Sequence, residues 1–118
     1  MSTIAYGWEL TAPSTSGGKV YQITVIDNII VTGWGSTSTT TRQFMVEAHV
    51  DSQWASRWAV ERTAEKESRG YSLTTPPHAH EIDPAMLGEL RRMVGHRGAS
   101  ARLQQAFNLL IQHGRTAA

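Results

Sequence analysis

Apolar and polar side chains alternate with the two-residue period of half-buried strands in the first third of the chain. Ala5–Thr11 (AYGWELT) reads as a first strand and Val20–Ile26 (VYQITVI) as a second. In the second, Val20, Gln22, Thr24 and Ile26 fall on one face, and Tyr21, Ile23 and Val25 on the other. Ala12–Gly18 (APSTSGG) between them reads as a loop. Asp27-Asn28 is a turn pair, and Ile29–Trp34 returns as the partner of a hairpin. After a run of hydroxyl residues, Thr41–Val50 (TRQFMVEAHV) supplies a fourth strand.

The period then lengthens. Asp51-Ser52 offers an N-cap, and Trp54, Ala55, Trp58, Ala59, Arg62 and Lys66 recur at three- and four-residue steps, which predicts a helix ending at Gly70. Trp54 and Trp58 are expected in its packed face. Thr74–Glu81 (TTPPHAHE) reads as a linker stiffened by two prolines. Beyond it, Asp83-Pro84 caps a helix over Pro84–Val94 whose stripe is Met86, Leu87, Leu90, Met93 and Val94. VGHRGAS interrupts, and Ser100 caps a second helix over Ser100–Gln112 with Leu103, Ala106, Phe107, Leu110 and Ile111 on one side. The expected fold class is α+β. It comprises a small antiparallel sheet of about four strands with one packed helix (1–73), a Pro-rich linker (74–82) and a C-terminal helical hairpin (83–118).

The 118-residue chain is one small domain's worth of sequence, and it has no cysteine, which excludes disulfides and thiolate chemistry. No apolar run approaches the ~20 residues of a membrane span, and the first residues lack the pattern of a signal peptide. A soluble, cytoplasmic protein is expected, nucleoid-associated if it binds DNA. Net charge is +1, distributed unevenly. Up to Leu73, six cations face seven carboxylates; from Thr74 onward five arginines face three. The tail's Arg91, Arg92, Arg97 and Arg102 are therefore a candidate secondary basic patch.

His78-Ala79-His80-Glu81 carries metal-ligand residue types, but it sits in the linker with no second cluster, so no metal is assigned. No spacing supports a nucleophile with its base, and Gly17-Gly18 precedes a strand, the wrong order for a phosphate cradle before a helix. Neither catalysis nor a cofactor is expected.

Four stretches, in order, resemble the WGR domain, the small module of DNA-damage-responsive poly(ADP-ribose) polymerases and of many bacterial proteins. They are Trp8-Glu9-Leu10, Lys19-Val20-Tyr21, Thr32-Gly33-Trp34-Gly35 and Glu65-Lys66-Glu67-Ser68-Arg69-Gly70-Tyr71. The resemblance spans Ile4 to Leu73. It departs at Ser36, where the namesake arginine is expected, and in the uncharged hydroxyl run that precedes Arg42. The resemblance implies a DNA-facing strand whose indole packs on a sugar or terminal base while a cation holds phosphate. Stacking of this kind contributes roughly 1–3 kcal/mol per base.

The candidate DNA-binding residues are thus Trp34, Gly35, Ser36, Arg42 and Lys19. Arg42 is expected to replace the missing cation, if the loop aims it at the face of Trp34. From residue type alone, a packed Trp34 and a bulge at Gly35 fit as well, and Lys19 and Lys66 read as solvated charges. Two functions stay open. One is a non-catalytic module that binds DNA ends or breaks through the backbone, or serves as a DNA-associated adaptor. The other is a protein-interaction module that uses its C-terminal helices to dock a partner or a second copy of itself.

Overall fold

The computed structural model describes residues 3–14, 17–106 and 108. Six strands form one fully antiparallel sheet in the order β5-β1-β2-β3-β4-β6. They are β1 (Thr3–Ser14), β2 (Gly17–Ile26), β3 (Ile29–Ser36), β4 (Gln43–Ala48), β5 (Ser72–Ile82) and β6 (Arg97–Ala99). Helix α1 (Ser52–Ser68) follows β4, α2 (Pro84–Arg92) follows β5, and α3 is helical over 101–106. The α+β class holds; the strand count rises from about four to six.

The two additional strands come from segments read as linker and helix break. Residues 74–82 belong to β5, which pairs with β1 along its length. Prolines are tolerated there for two reasons. β5 is an edge strand, and its register shifts where Gly7 faces His78 and Glu9 faces Thr75, so that Pro76 and Pro77 together oppose Trp8 alone. That is a bulge, a position that needs no ladder N–H from proline. Likewise, VGHRGAS contains β6, which pairs with β4 and separates α2 from α3, so the two do not form a simple hairpin. The first hairpin also extends further than expected, to the pair Ser14 and Gly17.

Caps appear where the sequence signals them. Asp51 accepts from Trp54 N at 2.9 Å, Asp83 from Ala85 N at 2.9 Å, and Ser100 from Leu103 N at 3.2 Å. At the end of α1, Gly70 takes a φ of 95°. Gly70 N bonds Glu67 O and Tyr71 N bonds Lys66 O, both at 3.1 Å, the paired bonds of a Schellman closure.

Alternation along the strands separates two cores. On one face, Trp8, Leu10, Tyr21, Ile23, Val25 and Ile30 pack against Ala55 and Ala59 of α1. Trp8 Nε1 donates to Thr63 Oγ1 at 2.8 Å, tying the helix down. On the other face, Ala5, Ile26, Ile29, Val31, Phe44 and Val46 pack against Leu90 and Leu103, with Met86, Leu87, Met93 and Ala106 alongside. The described part of the tail's apolar stripe thus covers the chain's own sheet; only Val94, 45% exposed, is left outside. Phe107, Leu110 and Ile111 lie outside the described residues.

α1 meets the sheet mainly through two alanines. Consequently Trp54 is 54% exposed, contrary to the expectation of a packed residue, and Arg57 sits over its ring. Trp58 is half-buried against the core and is covered by Arg62.

Candidate nucleic-acid interface

β3 explains the Trp-Gly pattern. Thr32, Trp34 and Ser36 point to the α1 face, whereas Gly33 and Gly35 turn to the other. A Cβ at Gly33 would lie 2.9 Å from Phe44 Cε1, and one at Gly35 would lie 3.0 Å from Thr41 O. The glycines let the ring of Phe44 and the β3–β4 loop close on the back of the strand. The same strand presents the indole at its front.

There Trp34 is half-buried and lies directly across from Tyr21 on β2, and Ser36 lies across from Lys19. Arg62 and Lys66, one turn apart on α1, close the second side, and Tyr71 and Arg97 complete the ends. The result is an open groove of about 710 Å³. Among the described residues no carboxylate lines it, while Lys19, Arg62, Lys66 and Arg97 do.

Lys66 is the centre of this arrangement. Its Nζ stands 4.5 Å from the Tyr21 ring centroid and 5.3 Å from that of Tyr71, within cation–π range of both. Desolvation first, then Arg62 and Arg69, hold its pKa below the ordinary lysine value, with Glu65 opposing. Burial pushes the Tyr21 phenol up, partly offset by Arg62, so it stays a neutral hydrogen-bonding group. The nearest acid on α1 is Glu65, which pairs with Arg62 at 3.6 Å and with Arg69 at 3.2 Å. Thr32, 1% exposed on the groove floor, has a hydroxyl near the Tyr21 phenol but without a partner in hydrogen-bond geometry.

Of the candidates drawn from the sequence, Trp34, Gly35, Ser36 and Lys19 come together in this groove. Arg42 does not reach it. Its Nη1 donates to the carbonyls of Ser36 (3.1 Å), Thr39 (2.8 Å) and Thr41 (3.2 Å), so it braces the loop from the side of Gly35. The hydroxyl of Ser36 is paired with Ser38 Oγ at 2.7 Å.

The tail arginines are also dispersed. Arg91 binds Asp27 at 2.7 Å and Asn28 at 2.9 Å, and Arg102 binds Glu89 at 3.0 Å. Arg92 lies beside Gly88 on α2. Only Arg97 is carried to the groove, because β6 pairs with β4 and aligns Arg97 with Met45. His78 and His80 alternate along β5, and among the described residues no three His, Asp or Glu side chains gather as a metal site.

Reading from sequence missed Arg62, Lys66, Tyr21, Tyr71 and Arg97 as groove residues. The four-residue step from Arg62 to Lys66 marks one helix face and was the available signal. Nothing local marks Arg97.

Compared with protein-family models, with curated proteins and with solved structures, the chain matches none. No described helix is long and apolar enough to cross a membrane.

Proposed function

We propose that this chain is a non-catalytic, WGR-like module that binds DNA at ends or breaks, through backbone features, in the groove of Trp34. The observation that carries the reading is a set of four cations interleaved with Trp34, Tyr21 and Tyr71, with no carboxylate among the described lining residues. Rings offer stacking surface to any base or sugar, and cations gain affinity by releasing counterions from phosphate. The cation missing at Ser36 is replaced from α1 and β6 by Lys66, Arg62 and Arg97, not from the loop by Arg42.

Fluorescent duplexes with and without a 5′-phosphate test the reading. If the groove engages about three phosphates, affinity falls about 40-fold between 50 and 200 mM salt. Trp34→Ala should weaken binding at every salt concentration. Binding that is absent at low salt, or indifferent to both salt and Trp34, refutes it.

A protein-partner reading draws on a different surface from the tail helices. Val60 (66% exposed), Tyr6 (52%) and Leu73 (43%) border a second groove of about 550 Å³ between α1 and the β1–β5 edge. Association that persists at high salt and is lost in Val60→Asp would favour it.

A further inference from the structure

The hydroxyl loop has no role in the groove as described, yet the fold holds it at the groove's rim. Residues 37–41 are all exposed, and every one is Ser or Thr. Thr37 N donates to Gly18 O at 2.9 Å, and the Thr37 side chain fills the space left by the absent Cβ of Gly18. Arg42 holds three loop carbonyls from beneath. Ser38 is turned to the groove side: its hydroxyl pairs with Ser36 Oγ at 2.7 Å, and its N–H reaches the same atom at 3.2 Å. Ser36 lines the groove and stands directly opposite Lys19.

We infer that Ser38 is a phosphorylation site whose phosphate docks on the groove's cations and closes the groove to DNA. The docking follows from the loop and groove geometry; the closure to DNA rests on the function proposed above. A phosphoserine carries about −1.5 to −2 charge at pH 7 and three strong acceptor oxygens, and it orders against clustered cations. Here Lys19 is the nearest such cation in the strand pairing, with Lys66 behind it across Tyr21. The donor is a nucleoside triphosphate used by a protein kinase. Ser38 Oγ forms a bond to the γ-phosphorus, the bond from that phosphorus to the diphosphate oxygen breaks, and the hydroxyl proton passes to the kinase's base.

The test uses the full chain with phosphoserine installed at position 38, followed by phosphorus NMR through the second phosphate ionisation. The expected pKa lies below that of phosphoserine in a free peptide of the loop sequence, and Lys19→Gln moves it back toward the peptide value. Phosphothreonine at Thr40, an exposed residue of the same loop two positions further from Ser36, should titrate like the peptide. Loss of about two counterion-releasing contacts should lower duplex affinity on the order of 50-fold at 0.1 M salt. A peptide-like pKa at position 38, insensitive to Lys19→Gln, overturns the docking. Unchanged duplex affinity, where the unmodified chain binds, overturns the closure. If the unmodified chain binds no duplex at all, the DNA reading fails, and the titration still decides the docking.

Discussion

Replacing Gly33 by alanine probes why the indole strand carries glycine on its back face. The new Cβ would lie 2.9 and 3.1 Å from Phe44 Cε1 and Cδ1, and 3.1 Å from Gln22 Oε1. Ordinary carbon contacts fall near 3.5–4.0 Å, so the ring must retreat by roughly half an ångström or more. It has little room. Phe44 is fully buried among Val31, Val46 and Leu90, and Gln22 is held by its 2.9 Å bond to the buried Glu9. Overpacking of this kind costs about 1–3 kcal/mol, while the loss of glycine's freedom in the unfolded chain returns about 0.4–1 kcal/mol. The net expectation is about 1–2 kcal/mol of destabilisation, or a Tm lower by about 4–8 °C. Thermal and urea denaturation should both show it, with the urea midpoint shifted and its slope unchanged. In a Phe44→Leu background the methyl has space, so the same substitution should cost less by at least about 0.5 kcal/mol. A Tm equal to or above that of the parent, or full additivity with Phe44→Leu, would refute the packing account of this glycine.

Two further predictions concern the groove. Because the folded pKa of Lys66 is depressed below 10.5, the unfolded chain binds more protons between the folded value and 10.5, and stability rises with pH in that window. At neutral pH the charge is fully present and fully penalised. Lys66→Met should therefore raise the Tm of the free protein while weakening duplex binding about 8-fold at 0.1 M salt; a lowered Tm would mean that the contacts with Tyr21 and Tyr71 outweigh desolvation. Arg97→Ala should weaken duplex binding by a similar factor and reduce the salt slope by about one, whereas Arg91→Ala, whose partners are Asp27 and Asn28, should leave both unchanged. Equal effects of the two would restore the idea of a tail-borne basic patch.

The elements most legible in the sequence are those whose signals are local. The strand from Val20 to Ile26, the Asp27-Asn28 turn, the caps Asp51, Asp83 and Ser100, and the Gly70 stop are set by side chains acting on their own neighbours along the chain. Half of the groove was legible for the same reason: Lys19, Trp34 and Ser36 lie on adjacent strands of one hairpin, and period-two alternation fixes their common face.

What only the tertiary structure decided is longer in range. Pro76 and Pro77 argue against a strand until pairing with β1 places both opposite Trp8, in a bulge of β5 that accommodates them. Arg97 reads as part of a basic tail until β6 finds the free edge of β4, more than fifty residues back in the chain. Arg42, the cation nearest to Trp34 in sequence among the candidates, goes to the opposite side of the sheet, because it stands one residue before Gln43, the cross-strand partner of Trp34, and the loop carbonyls capture its guanidinium. Sequence by itself therefore determined the local elements and which side chains each one presents. Which cations meet around Trp34 depended on strand pairing between distant segments, since a free edge and a buried face are properties of the assembled sheet and not of any segment within it.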